Sequence, residues 1–230
     1  MSKADLMNSG YLRWQAPALS LFAVISLTTP AFAASLSINV VDASNGAPLK
    51  DAVVELYAPN VAPLPMMPHQ ISQRGRMFDP HVLAIPVGSA VTFPNLDDTR
   101  HHVYSFSPAK TFELALYLNE PTAPVIFDKP GVVVLGCNIH DRMQAFVVVS
   151  EAERIAVTDS DGRVTFDGLP EQPMRFTLWH PRLANDHQRR EERQAAARGQ
   201  SIRVPLTLNV PSRPEQPSSS LQRLFDRATQ

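Results

Sequence analysis

Short runs of apolar residues recur along most of the chain, and polar residues, Pro and Gly separate them. The runs are brief and rich in β-branched residues, and none before the last segments repeats at the helical period. The sequence therefore predicts an all-β fold, built as a sandwich or barrel. The predicted strands cover residues 36–41, 52–56, 82–86, 90–93, 102–106, 132–135, 145–149, 163–166, 175–179 and 202–210.

Two separated parts of the chain have the same pattern of short strands joined by tight turns. Residues 38–56 give strand, turn and strand, and Asn45-Gly46 supplies the positive φ angles that tight hairpins need. Residues 156–179 continue with the hairpin sequence Thr158-Asp159-x-x-Gly162. Together the two parts resemble the small sandwich of carboxypeptidase regulatory-like and transthyretin-like domains.

In that family only a short loop joins the two parts, whereas residues 61–150 intervene here. We therefore predict that residues 34–60 and 151–210 form one sandwich. Residues 61–150 would form a second sandwich inserted into a surface loop of the first, which is sterically easy because domain termini often lie close together. Two sandwiches in tandem are the alternative.

The amino terminus has the order of a secretory signal peptide. Lys3 and Arg13 precede a short apolar run at 18–27, and the small-residue triplet 31–33 follows. The run is about half the ~20 apolar residues that a bilayer span needs, so a membrane anchor is disfavoured. We expect cleavage after Ala33 and a periplasmic location.

Three stretches carry no strand pattern. Residues 183–200 mix charges of both signs and are expected to form a solvated loop or a short helix. Residues 211–220 are typical of a Pro/Ser linker, and residues 221–228 of a short terminal helix.

Charge and cysteine content narrow the function. The formal net charge is -1 and becomes one unit more negative after removal of the signal peptide. The chain therefore has no excess of positive charge that would attract nucleic acid. Cys137 is the only cysteine, although exported proteins usually pair their cysteines. It is therefore an intermolecular bridge, an inert buried thiol or a metal-bound thiolate.

Residues 137–143 favour the metal-bound thiolate. The segment places the thiolate of Cys137, the imidazole of His140 and the thioether of Met143 on one loop between two apolar runs, and His101 lies upstream. One thiolate and two imidazoles in a plane, with a weak axial thioether, are the ligands of blue-copper sites. The sequence thus predicts one mononuclear Cu(I)/Cu(II) site.

The surrounding motifs resemble those of the cupredoxin family, and the Cys-x2-His-x2-Met spacing is similar to the short ligand loop of amicyanin. The chain also looks like the methylamine-utilisation-associated group of plastocyanin-like proteins. The matching motifs are Phe78-x-Pro80, Ile85-x-Val87-Gly88, Val91-x-Phe93-x-Asn95-x-Asp97, His101-His102-Val103, Phe127-x-x-Pro130-Gly131 and the strand 145–149.

The upstream imidazole has two candidates, because this chain has His101-His102 where small cupredoxins usually have His-Asn. Neighbouring residues of a strand point to opposite faces, so both cannot easily reach one metal ion. We favour His101 as the ligand. His102 is then expected to hydrogen-bond the ligand loop from the outer shell, or to be the alternative ligand.

The resemblance implies an electron carrier rather than an enzyme. Electrons would pass through the exposed edge of His140, with Ile139, Phe106 and Met143 forming an apolar docking surface. The expected partner is a transient redox protein such as a c-type cytochrome or a dehydrogenase. Two alternatives stay open: a periplasmic carrier or storage protein for copper, and a structural binding module without a redox role.

A second group of soft donors lies in a Pro-rich stretch. Cu(I) binding by this group is possible in principle, but packing is the preferred interpretation. The group consists of Met66, Met67, His69, Met77 and His81.

Overall fold

The computed structural model describes residues 34–58, 60–119, 123–170, 172–183, 190–195 and 200–209. All the regular elements in these ranges are β-strands. In chain order the strands are β1 (Ala34–Asp42), β2 (Val53–Tyr57), β3 (His69–Gln70), β4 (Ser72–Arg74), β5 (Met77–Asp79), β6 (Val82–Pro86), β7 (Ser89–Thr92), β8 (His101–Ser107), β9 (Lys110–Tyr117), β10 (Val125–Phe127), β11 (Gly131–Gly136), β12 (Gln144–Ser150), β13 (Arg154–Val157), β14 (Arg163–Leu169), β15 (Met174–Trp179), β16 (Glu191–Ala195) and β17 (Gln200–Leu206).

The first two strands pair with strands from the far end of the chain. One sheet has the order β14-β1-β17, and a second has the order β13-β2-β15-β16. The inward side chains of both sheets form one buried core, because alternate residues of β1, β2, β14 and β15 are apolar. We call this pair of sheets the outer sandwich. Its core includes Leu36, Ile38, Val40, Val54, Leu56, Val164, Phe166, Phe176 and Leu178.

A close turn joins β13 to β14 in the outer sandwich. Gly162 has a φ of 70°, and a Cβ there would lie 2.4 Å from the carbonyl oxygen of Val40. The amide of Val40 donates to the carbonyl of Gly162 over 2.7 Å. Only glycine fits a site with this φ and this approach of backbone.

The strands between β2 and β13 form sheets of their own. A five-stranded sheet has the order β6-β12-β11-β8-β9, a three-stranded sheet has the order β10-β7-β3, and β4 and β5 make a separate hairpin. We call these strands the inner sandwich. Its buried core includes Ile71, Ile85, Val91, Phe93, Val103, Phe127, Val133, Leu135, Val147 and Val149.

β12 is buried on both faces. Val147 and Val149 face the inner core, whereas Phe146 and Val148 pack with Trp179 of β15. A central strand covered on both sides has a continuous apolar sequence rather than an alternating one. The second face of β12 therefore joins the inner sandwich to the outer sandwich.

The structure confirms the predicted all-β sandwich class. The expectation of a loop or short helix over residues 183–200 is wrong for Glu191–Ala195, which forms β16 because its backbone pairs with the open edge of β15. The predicted leader 1–33 and the predicted linker and helix 211–228 lie outside the described residues. The division into domains at residues 60 and 150 stays a prediction.

No helix within the described ranges has the length and apolar character needed to span a bilayer.

Candidate metal centre

Three predicted donors, His101, Cys137 and His140, lie at one end of the five-stranded sheet. β8 begins at His101, and β11 ends just before Cys137. The two strands are antiparallel neighbours, with Gly136 opposite Tyr104, so the start of one lies beside the end of the other. The sheet therefore brings together side chains that are distant in sequence.

The loop between β11 and β12 is held closely at both ends. A Cβ at Gly136 would lie 2.8 Å from the ring of Tyr104, so ring and backbone are in direct contact. Within the loop the amide of Met143 donates to the carbonyl of His140 over 2.9 Å. Met143 is buried in the same core cluster as Cys137. The loop thus presents its donors from a fixed backbone.

The possible donor atoms of His101, Cys137 and His140 all lie within 4.8 Å of one another. Sγ of Cys137 is 3.9 Å from Nδ1 of His140, and the two imidazole centroids are 5.0 Å apart. His101 is fully buried, Cys137 is 5% exposed and His140 is half-buried. In the described part of the chain this is the one group of His, Cys, Asp or Glu with such spacing.

His101 uses one of its two ring nitrogens within the protein. Nε2 donates to Oδ2 of Asp97 over 2.8 Å. Nδ1 is buried and has no hydrogen-bond partner among the described residues, which is costly for an imidazole nitrogen. A free lone pair grouped with a thiol and a second imidazole is what copper requires. The donor set therefore fits copper, with Nδ1 of His101 as the available atom.

Asp97 is fixed by the tip of the β4–β5 hairpin. The amides of Gly75 and Arg76 donate to its two carboxylate oxygens over 2.6 and 2.9 Å. Both turn residues have positive φ angles, 61° and 60°, as a two-residue hairpin turn requires. Burial alone would raise the pKa of Asp97, but the hydrogen bonds from Arg76, His101 and Gly75 together lower it.

This support was not recognised from the sequence. The spacing of Asp97 and His101 was visible within the cupredoxin-like motif, but the backbone amides that hold Asp97 have no residue-type signature. The outcome is a carboxylate that orients a candidate metal ligand, the arrangement typical of metal-binding histidines.

His102 does not join the donor group. Its Nε2 lies 2.8 Å from Oε1 of Glu113 on the neighbouring strand β9, and its ring packs against Tyr104. The expected hydrogen bond from His102 to the ligand loop is therefore wrong. The alternation of side chains along β8 directs His101 to the loop and His102 to the other face.

Part of the expected docking surface is also wrong. Met143 is only 2% exposed, because its side chain belongs to the inner core. Ile139 is 49% exposed and Phe106 is 82% exposed. A groove of about 530 Å³ runs beside Cys137 and Phe106. Whether the buried thioether of Met143 is an axial ligand stays a prediction.

The Met/His group in the Pro-rich stretch has mostly exposed sulfur-bearing side chains. Met66, Met67 and Met77 are each at least 60% exposed. His81 is already engaged, since its Nδ1 lies 3.1 Å from the carbonyl of Gln144. The exposure of the three methionines does not fit the preferred interpretation as packing, and Cu(I) binding stays an untested alternative.

No family model matches the chain, and no curated protein matches it. Among solved structures the chain is similar to a copper-containing nitrite reductase from Thermus scotoductus, with 28% identity, a TM-score of 0.35 and coverage of 42% of this chain. That match spans only 25% of the reductase. A purple cupredoxin from Nitrosopumilus maritimus matches with 26% identity, a TM-score of 0.32 and coverage of 36% of this chain and 99% of its own. A Cu(I) amicyanin variant matches with 17% identity, a TM-score of 0.34 and coverage of 42% and 98%.

Proposed function

We propose that this protein is an exported mononuclear copper protein that transfers single electrons between redox partners. One observation carries the proposal: the donor atoms of His101, Cys137 and His140 converge within 4.8 Å. A supporting observation is that one imidazole nitrogen in this group is buried without a partner among the described residues.

The proposed roles follow from the chemistry of each side chain. His101 through Nδ1, the thiolate of Cys137 and an imidazole nitrogen of His140 would hold the ion, with the thioether of Met143 as a weak fourth ligand. Copper supplies a one-electron redox couple when bound. The chain holds these donors on β8 and on a loop packed into the core, so both oxidation states would meet nearly the same positions.

Electrons would enter and leave through the edge of His140. This imidazole is half-buried, and Ile139 beside it is 49% exposed. A small apolar rim of this kind suits a transient encounter that buries less than ~1,200 Å². The proposed partner is a redox protein, such as a c-type cytochrome or a dehydrogenase, in the periplasm. No substrate conversion by the chain itself is proposed.

The test is an absorption and paramagnetic-resonance spectrum of the mature protein loaded with Cu(II). We expect an intense thiolate-to-copper band that bleaches reversibly on reduction and disappears in Cys137→Ser. Asn138→Ser is the matched control, because this exposed neighbour in the same loop supplies no donor to the proposed site.

Other outcomes would replace the proposal. Tight Cu(I) binding without reversible redox cycling would make the protein a copper carrier or store. A protein that binds no copper would be a structural module.

A further inference from the structure

A cavity of about 680 Å³ lies where three parts of the chain meet. Lys50 lines it from the segment before β2 in the outer sandwich, Arg74 from the β4–β5 hairpin, and Arg142 from the loop of the candidate metal centre. Pockets for small molecules commonly measure ~300–1,000 Å³. The space is therefore large enough for a ligand of metabolite size.

The charges around this cavity are unbalanced. Lys50, Arg74 and Arg142 are exposed, and among the described residues none of them forms an ion pair. The one carboxylate in the lining is that of Asp79. Three like charges around one concave space raise the local potential and concentrate anions there.

One wall of the cavity is apolar. Phe78 is only 4% exposed and closes the space, and Met77 beside it is 65% exposed. The guanidinium groups of Arg74 and Arg142 can each bind a carboxylate or a phosphate through two parallel hydrogen bonds. We propose that the cavity binds a small polyanion, a molecule with two or three carboxylate or phosphate groups on a compact carbon frame.

The position of the cavity links this ligand to the candidate metal centre. The hairpin that carries Arg74 also supplies the two amides that hold Asp97, and Asp97 in turn holds His101. Arg142 directly precedes Met143. An anion that binds Arg74 and Arg142 together would contact the hairpin that supports His101 and the loop that carries the other predicted donors. The binding itself needs no copper and does not depend on the proposed redox function.

The experiment is calorimetric titration of the metal-free mature protein with citrate and, separately, with inorganic phosphate at low ionic strength. We expect citrate to bind more tightly than phosphate, because it can reach more than one cation at once. Lys50→Gln and Arg74→Gln should each weaken citrate binding about fivefold, the effect of losing roughly 1 kcal/mol. Lys129→Gln removes an exposed charge elsewhere and should leave binding unchanged.

A second readout locates the bound anion. Amide resonances of Gly75, Arg76 and Met143 should shift during the citrate titration of the metal-free protein, and in Arg74→Gln the same shifts should require about fivefold more citrate.

Absence of binding by both anions would overturn the proposal, as would equal citrate affinity in Lys50→Gln and the parent. Binding of a polyglutamate peptide without binding of citrate would assign the cavity to an acidic protein instead. Because the protein carries no metal in these experiments, their failure is distinct from failure to form a copper site.

Discussion

The two ring nitrogens of His101 have different surroundings. Nε2 is held by Asp97 at 2.8 Å, and Nδ1 is buried without a partner in the described part of the chain. The hydrogen bond selects the tautomer that leaves the lone pair on Nδ1. Substitutions at and around His101 should therefore act differently according to which nitrogen they affect.

Asp97→Asn should weaken Cu(II) binding without abolishing it. The amide can keep a hydrogen bond to the imidazole, but it loses the negative charge that strengthens the ligand, and loss of such a partner typically lowers metal affinity about 10- to 100-fold. Competition titration with a chelator measures the affinity. Asp98→Asn is the control because Asp98 is exposed. Equal losses in both variants would contradict the role given to Asp97.

His101→Asn and His102→Asn should differ in the copper spectrum. We expect the thiolate-to-copper band to disappear in His101→Asn, which removes a donor. In His102→Asn the band should persist, because His102 pairs with Glu113 rather than with the donor group. The opposite pattern would make His102 the ligand.

His180 should make the fold less stable in acid. It is buried, its Nε2 lies 3.2 Å from the carbonyl of Lys50, and its Nδ1 accepts the amide of Arg182. Burial is the main cause that lowers the pKa of His180 below the ordinary value of 6.5. The unfolded chain therefore binds the proton more readily, and the stability present above pH 6.5 is lost as the pH falls towards the folded pKa.

The measurement is the melting temperature of the parent protein and of His180→Asn from about pH 5 to about pH 7.5, on both sides of the ordinary histidine pKa of about 6.5. The parent should lose more stability than the variant on the acid side. Parallel curves would show that another group causes the acid sensitivity.

The candidate site was only partly predictable from the sequence. Cys137, His140 and Met143 lie within seven positions, so their spacing was visible directly. His101 was separated from His102 by the alternation of a strand. The support of Asp97 was not predictable, because it comes from two backbone amides in a distant hairpin, and backbone groups leave no mark in residue types.

At the scale of strands, the predictions succeeded for every strand in the middle of a sheet and failed for most of the strands at the edges. β1, β2, β11, β12 and β15 are flanked on both sides and were predicted because burial demands apolar side chains. The missed strands β3, β4, β5, β9, β10, β13 and β16 all stand at the edge of a sheet, although the edge strands β6, β14 and β17 were predicted. Edge strands bury less surface and carry more charged residues, so their hydrophobic pattern is weak.

A single hydroxyl connects the start of β2 to the end of β13. Thr158 is 3% exposed, donates to the carbonyl of Leu49 over 2.6 Å and accepts the amide of Ala52 over 2.9 Å. Thr158→Val keeps the shape but leaves both backbone groups without this partner, which should cost about 2–4 kcal/mol. Urea denaturation measures the change, and Thr165→Val on an exposed site should have little effect.

At the scale of the whole molecule, the two sandwiches share a buried cluster. Val53 and Trp179 contribute to it from the outer sandwich, and Val82, Val132 and Phe146 from the inner sandwich. The rings of Phe146 and Trp179 are 5.3 Å apart. Because both sandwiches bury side chains in this one cluster, unfolding of either would expose apolar surface of the other. The two parts should therefore unfold together.

Trp179 makes the coupling measurable. The sequence has two tryptophans, and the other, Trp14, lies in the predicted leader, so fluorescence of the mature protein reports the shared cluster alone. We expect urea transitions followed by fluorescence and by far-ultraviolet circular dichroism to coincide. Two separate transitions would mean that each sandwich unfolds independently. Phe146→Leu should lower the midpoint of both signals together.

The position of β1 in its sheet also sets an order of assembly. β1 is the first described strand, yet its two neighbours are β14 and β17, near the other end of the described residues. During synthesis from the amino terminus, only the last residues of β1 can pair locally, with residues 47–49. The rest of both edges of β1 must wait unpaired until residues 163–206 arrive. The inner strands β3–β12 have all their sheet partners earlier. The proposed copper pocket can thus form before the outer sandwich closes, and a chain stalled after β12 would expose β1 as a template for aggregation.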